Sequence, residues 1–321
     1  MAAPFPTILA RCLSLILAAG SALPARAVLF YGTGDPSFNT TAPTGGLLDS
    51  GWQYQGTWGG SLGTAIAPDL FVTAKHLGGS VGDTFTYGGT TYQTTAVYDS
   101  PASDLRVWRV NGTFATYAPL YRDGSASALS QSAVVFGRGT QRGSEVTVSG
   151  QLKGWTWGTT DQVQRWGQNT VDGVTVGGAS LGNLLRLGLS ATGGANEAHL
   201  SSGDSGGAVF LQSGGTWKLA GINYSVDGQF SLTGVNGSGF NAAIFDARGL
   251  YFGSDGNWQL INGANPVESS FYATSISDNL SFLDALITPV PEPGVIAWLG
   301  CVACAVLFAW ETRRRRLRPT P

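Results

Sequence analysis

Glycine is the residue that most constrains how this chain can fold, since 47 of its 321 residues are glycine. The glycines separate short stretches in which apolar residues alternate with others, as in 104–110, 145–149 and 217–222. Such alternation is typical of half-buried strands, and glycine between them is typical of tight turns. Ten Trp, ten Tyr and 15 Phe supply enough large side chains for a core. The pattern predicts an all-β barrel or sandwich.

One helix is expected close to the end of the folded region. Its apolar positions, spaced three to four residues apart from Ser275 onward, are Ile276, Leu280, Leu283, Leu286 and Ile287. Ser277 or Asp278 is a suitable N-terminal cap. The segment 289–293 that follows is rich in proline, so it cannot continue the helix and is interpreted as a linker.

Both ends of the chain carry targeting signals. Arg11 precedes an apolar run at 13–19, and Ala25-Arg26-Ala27 has the form that a signal peptidase cuts, so residues 1–27 are predicted to be a secretory signal peptide. Residues 294–310 contain no charge and are just long enough to span a bilayer. The arginines in the tail 311–321 are expected to stay in the cytoplasm, which places the rest on the far side of the membrane.

The exported region has neither cysteines nor an excess of positive charge. The three cysteines, Cys12, Cys301 and Cys304, fall in the signal and the membrane segment. The region must therefore be stable without disulfides, and with only two histidines in the whole chain it offers little to hold zinc. Residues 28–289 carry 18 acidic and 11 basic side chains, which argues against nucleic-acid binding. We expect no metal and no cofactor.

A glycine-flanked serine, Ser205 in Gly203-Asp204-Ser205-Gly206-Gly207, is the strongest candidate for a nucleophile. The motif also fits the nucleophile turn of α/β-hydrolases, but these need a histidine after the serine and none follows Ser205. His76, Asp104 and Ser205 occur in the order of a chymotrypsin-type triad, each at a predicted strand end or loop. The N–H groups of Gly203 and Ser205 are candidates for an oxyanion hole.

Three stretches resemble the histidine, aspartate and serine motifs of trypsin-like serine proteases: Val72-Thr73-Ala74-Lys75-His76, Asp104-Leu105-Arg106-Val107 and 202–209. The segment 220–225 resembles the strand beside the substrate, and the resemblance extends over roughly residues 50–288. It implies a chymotrypsin-like fold of two six-stranded antiparallel barrels with the active site between them and a C-terminal helix. It implies a secreted serine endopeptidase acting on proteins or peptides.

Some positions leave alternatives open. Asp99 lies five residues before Asp104 and could be the histidine's partner instead. His199, six residues before Ser205, occupies the position that forms the floor of the substrate pocket in such proteases, although a surface histidine is an equal alternative. Asp204 matches the acid that pairs with a freed N-terminal amine. Cleavage after Ala27 would supply that amine at Val28; otherwise Asp204 needs another partner.

The C-terminus resembles a second known signal. Val290-Pro291-Glu292-Pro293, the apolar span and the arginine cluster resemble a PEP-CTERM sorting tail, which implies a Gram-negative bacterium and processing by an exosortase-type enzyme. The expected location is the periplasmic face of the inner membrane before processing, then the cell surface or extracellular matrix.

The sequence thus divides into a series of expected segments. They are the signal peptide 1–27, an N-terminal segment 28–49, the protease domain 50–288, the linker and PEP motif 289–293, the transmembrane segment 294–310 and the cytoplasmic tail 311–321. Two other functions remain open for the same fold. One is an esterase that uses the same triad, and the other is a non-catalytic binding protein of the surface or matrix.

Overall fold

The computed structural model describes residues 28–287 and Trp310. The predicted signal peptide, the linker with its PEP motif, the cytoplasmic tail and all of the predicted membrane segment except Trp310 lie outside the described residues. Within the described part of the chain, no helix is both long enough and apolar enough to cross a membrane.

The described residues form mostly short strands. In chain order these are β1 (Leu29–Phe30), β2 (Gln55–Trp58), β3 (Ser61–Ala67), β4 (Leu70–Ala74), β5 (Thr84–Tyr87), β6 (Thr90–Asp99), β7 (Leu105–Val110), β8 (Ser132–Gly137), β9 (Thr140–Val148), β10 (Gln151–Thr160), β11 (Arg165–Val176), β12 (Asn183–Gly188), β13 (Ala198–His199), β14 (Ala208–Ser213), β15 (Thr216–Val226), β16 (Gln229–Ser231), β17 (Ala242–Ile244), β18 (Tyr251–Gly253), β19 (Gln259–Leu260) and β20 (Ser270–Ser275). Short 3₁₀ turns lie at Gly45–Leu47, Trp52–Tyr54, Lys75–Leu77, Ser125–Ala128 and Ser277–Asn279, and one α-helix, α1, spans Leu280–Ile287.

Twelve of these strands close into two six-stranded barrels. The first barrel has the strand order β2-β3-β4-β7-β6-β5, and the second has the order β11-β12-β20-β15-β14-β8. Every strand pair in both barrels is antiparallel. The predicted all-β architecture of two six-stranded antiparallel barrels is confirmed.

The first barrel is filled by aromatic rings that need glycine opposite them. The rings of Phe71 and Phe85 stack with their centroids 3.8 Å apart. A Cβ on Gly56 would lie 2.3 Å from the Phe85 ring, and one on Gly63 would lie 2.7 Å from the Phe71 ring. Because real Cβ atoms do not approach so closely, the rings can pack against β2 and β3 only where the strands carry no side chain.

A shared apolar core joins the two barrels. Leu62 and Val72 of the first barrel belong to the same buried cluster as Phe136 and Phe210 of the second, and Leu283 of α1 packs into it with no exposed surface. The predicted C-terminal helix is therefore confirmed, and it lies against this shared core. The start of the helix differs from the prediction, because a 3₁₀ turn precedes it. The hydroxyl of Ser275 accepts a hydrogen bond there from the Asp278 N–H, at 3.4 Å.

The N-terminal segment 28–49 also contributes to the second barrel's side. Strand β1 pairs with β13, with Leu29 opposite His199 and Phe30 opposite Ala198. Val28 is 1% exposed and belongs to the buried cluster of that barrel. Strand β1 therefore supports β13, the strand that leads to the Ser205 loop.

Candidate active site

His76 and Asp104 are brought together by two neighbouring strands. β4 and β7 pair with Ala74 opposite Leu105, so the residues just beyond these positions meet at one end of the first barrel. The His76 Nδ1 lies 2.6 Å from Asp104 Oδ2, and the His76 backbone N–H donates to Asp104 Oδ1 at 3.0 Å. A carboxylate only accepts, so Nδ1 carries the proton and Nε2 remains available as a base. The His76 side chain is 40% exposed and that of Asp104 only 6%.

Asp99, the alternative partner, is engaged elsewhere. Its carboxylate accepts from Arg106 Nε at 2.6 Å and from a terminal guanidinium nitrogen of Arg106 at 2.8 Å. The hydrogen bond from Arg106 lowers the pKa of Asp99 below its usual value. The geometry therefore pairs His76 with Asp104 and not with Asp99.

The loop that delivers Asp104 is fixed by residues that the sequence did not single out. Lys75 Nζ donates to the carbonyls of Ser100 and Ser103, at 3.1 and 2.9 Å. The hydroxyls of the same two serines donate to Asn279 Oδ1, at 3.1 and 2.7 Å. Asn279 stands more than 170 positions away in the chain, so no local pattern could have indicated this support.

The Ser205 loop presses against the first barrel. Gly206 has a φ of +80°, and a Cβ there would lie 2.3 Å from Thr73 Oγ1 and 2.6 Å from the Leu62 carbonyl oxygen. Only glycine fits both that backbone angle and that gap. The close approach places Ser205, which comes from the second barrel, beside the end of β4 that continues into His76.

Two N–H groups in this loop lack acceptors. Asp204 N–H donates to the Ser201 carbonyl, and Gly206 N–H donates to the Asn223 carbonyl. By contrast, the N–H groups of Gly203 and Ser205 have no acceptor anywhere in residues 28–287. Two unoccupied donors beside a serine hydroxyl match what an oxyanion hole requires.

Ser205 and His76 share a neighbour but no hydrogen bond. The hydrogen bonds of the His76 side chain and N–H go to Asp104, and none joins His76 to Ser205 in the described residues. The Tyr224 ring lies edge-on to the His76 ring at 5.8 Å, and Tyr224 and Ser205 line the same cavity. In proteins without bound substrate, catalytic hydrogen bonds are often long and shorten on binding.

Asp204 has its own set of partners inside the protein. Its Oδ1 accepts from the Gly139 N–H at 2.7 Å, and its Oδ2 accepts from the N–H and hydroxyl of Ser201, at 2.8 and 3.0 Å. A Cβ on Gly137 or Gly139 would collide with the Asp204 carboxylate. Asp204 thus has hydrogen-bond partners other than an N-terminal amine, at Gly139 and Ser201.

Asp204 makes the stability of the fold depend on pH. Burial raises the pKa of Asp204 to about 6, from 3.8, despite its hydrogen bonds and the nearby charge of Arg165. The folded chain thus holds this proton more tightly than the unfolded chain does. Protonated Asp204 therefore stabilises the folded state fully below about pH 4. This contribution to the free energy of unfolding, on the order of 3 kcal/mol, is lost as the pH rises through 6.

Urea unfolding of the wild type and Asp204→Asn between pH 4 and 7 tests this dependence. Since asparagine does not titrate, we expect the free energy of unfolding of the wild type to fall with pH relative to that of the variant. Two parallel curves would contradict the assignment to Asp204.

His199 does not lie where the sequence suggested. It is 1% exposed, and its Nδ1–H donates to the Leu200 carbonyl at 2.7 Å while its Nε2 lies 3.2 Å from the Ser269 hydroxyl. The Phe271 ring packs edge-on against it at 5.5 Å. His199 is not among the residues that line the cavity at Ser205. The interpretation as a pocket floor is corrected to a buried structural histidine, whose pKa is lowered by burial.

Two cavities adjoin residues of the candidate site. One of about 330 Å³ is lined by Ser205, by the loop before it and by 223–226 of β15. Another of about 410 Å³ is lined by Leu77, next to His76, and by residues of β2, β3 and β5. Space therefore adjoins both Ser205 and Leu77, the residue after His76.

Comparisons with known proteins give limited results. No protein-family model matches the sequence, and no curated protein matches it. Among solved structures, the chain is similar to neuropsin, a serine protease expressed in the limbic system of mouse brain, with 12% sequence identity and a TM-score of 0.46. The match covers 75% of this chain and 97% of neuropsin. At that level of similarity, neither an activity nor a substrate follows from the comparison.

Proposed function

We propose that this chain is an exported serine endopeptidase that uses Ser205 as nucleophile, His76 as base and Asp104 to orient the base. The observation that carries the proposal is the pairing of His76 Nδ1 with the buried Asp104 carboxylate at 2.6 Å, beside a serine loop with two unoccupied N–H donors. Buried carboxylate, histidine and serine at a cleft between two barrels form the arrangement needed for acyl transfer.

The reaction has two halves. In the first, Ser205 Oγ attacks the carbonyl carbon of the peptide bond and its proton passes to His76 Nε2. The N–H groups of Gly203 and Ser205 bind the oxyanion, and His76 returns the proton to the departing amine. In the second half, water attacks the acyl carbon while His76 takes its proton, and His76 then passes that proton to Ser205 Oγ as the bond to the acyl group breaks and the acid is released. Asp104 stabilises the protonated imidazole throughout.

Space beside Ser205 and beside Leu77 favours cleavage within a chain. One cavity is lined by Ser205, and a second is lined by Leu77, the residue after His76. A polypeptide can therefore extend in both directions from the reacting bond, as an endopeptidase requires. The chain's signal peptide, its PEP-CTERM-like tail and an exosortase partner belong to the same proposal and rest on the sequence alone.

Parallel assays on peptides and esters test the proposal. We expect the wild type to cut internal bonds of unfolded protein substrates, and Ser205→Ala to lose this activity by a factor of about 10⁶. Hydrolysis of esters alone would favour the esterase, and binding of peptides without any turnover would favour the non-catalytic protein.

A further inference from the structure

The cavity beside Ser205 is lined by polar as well as apolar residues. It is lined by Leu200, Ser201, Ser202 and Asp204 before the serine, by Asn223 to Val226 of β15, and by Trp157 and Asn241. Its volume of about 330 Å³ is at the lower end for small-ligand pockets and suits a single side chain. Because it adjoins the nucleophile, it is the place for the substrate residue whose carbonyl Ser205 attacks.

The lining offers no counter-ion to a charged side chain. Its ionisable groups are the phenol of Tyr224 and the carboxyl of Asp204. Asp204 is 1% exposed, and both of its oxygens already accept hydrogen bonds from Gly139 and Ser201. A lysine, arginine or glutamate side chain entering this cavity would lose water without gaining an opposite charge, which is costly.

The same lining is rich in uncharged hydrogen-bonding groups. The side chain of Asn241 is exposed and has no hydrogen-bond partner within residues 28–287, and the same holds for the half-buried hydroxyl of Ser225 and the exposed one of Ser202. An apolar side chain that fills the cavity would displace water from these groups without replacing the hydrogen bonds.

Asn241 is held in place by the backbone. Its carbonyl accepts a hydrogen bond from the Trp157 N–H at 3.0 Å, and it immediately precedes β17, whose Ala242 pairs with Thr156 of β10. Asn241 therefore lines the cavity from a position next to a strand end, where its backbone is fixed. A fixed backbone is what a group that selects substrates needs.

We propose that this pocket selects a carboxamide side chain, glutamine or asparagine, on the acyl side of the cut bond, and that Asn241 is the residue that determines this specificity. Two carboxamides can exchange hydrogen bonds, the N–H of each donating to the oxygen of the other. This inference rests on the proposed peptidase function and adds to it the class of substrate.

Peptides that differ only at that residue test the inference. We expect kcat/KM for glutamine to exceed that for glutamate and for methionine, which have similar lengths, by at least about tenfold. In Asn241→Leu the advantage of glutamine over methionine should fall to near one. The matched control is Asn262→Leu, an exposed asparagine outside the cavity lining, which should retain the advantage.

A second variant guards against loss of folding. Asn241→Asp keeps the shape of the side chain but adds a carboxylate, so it should lower the rate for glutamine and raise that for lysine and arginine. A preference of the wild type for charged or apolar residues would overturn the inference, as would an unchanged glutamine advantage in Asn241→Leu. If Ser205 reacts with a fluorophosphonate but no carboxamide preference exists, only the specificity fails. If the folded wild type neither reacts nor cuts, the peptidase function fails and the specificity with it.

Discussion

We expect Asp104→Asn to lower kcat by about 10⁴-fold, with little change in the fold. The Asp104 carboxylate accepts the His76 Nδ1–H at 2.6 Å and is almost fully buried. An asparagine can present its NH₂ to Nδ1, which reverses the hydrogen bond and places the proton on Nε2. The ring then cannot accept the proton of Ser205, although the site keeps its shape.

Asp99→Asn is the matched control for that measurement. Asp99 forms an ion pair with Arg106, its side chain is 43% exposed, and such surface pairs contribute about 0–1 kcal/mol. We expect kcat in Asp99→Asn to stay within a few-fold of the wild type. Full activity in Asp104→Asn, or a large loss in Asp99→Asn, would contradict the assignment of the partner.

Replacing His76 by alanine gives the second large effect, a loss of about 10⁶-fold in kcat. Without the imidazole, Ser205 loses its proposed base, and the hydroxyl alone is a weak nucleophile. Steady-state hydrolysis of one peptide substrate by the wild type and the variant measures this loss.

His199→Ala serves as control because the chain has only two histidines. His199 is fully buried against Phe271 and Ser269, so its removal should destabilise the fold by roughly 1–3 kcal/mol. At a temperature where the variant is folded, its kcat should be close to that of the wild type. A loss in His199→Ala comparable to that in His76→Ala would show that the two histidines have been assigned wrongly.

Local patterns predicted the architecture well. The apolar alternation predicted within 104–110 became β7. His76 follows β4 and Asp104 precedes β7, and the antiparallel pairing of these strands, with Ala74 opposite Leu105, brings the two residues together. Strands and the residues at their ends are determined largely by residues that are close in the chain, so they can be predicted from a single sequence.

The remaining parts of the site depend on contacts that no local pattern records. Asp204 accepts a hydrogen bond from Gly139, which lies 65 positions earlier, between β8 and β9. His199 was misplaced because its distance from Ser205 in the sequence does not say which way β13 faces. Its pairing with Leu29 of β1 turns the histidine into the core, and that pairing joins two segments 170 residues apart.

Reaction of the full chain with a fluorophosphonate, followed by peptide mass mapping, tests the central claim most directly. The account predicts a single adduct on Ser205 in the folded wild type, none in Ser205→Ala, and strongly slowed labelling in His76→Ala. A folded wild type that remains unlabelled, or labelling that persists in Ser205→Ala, would contradict it.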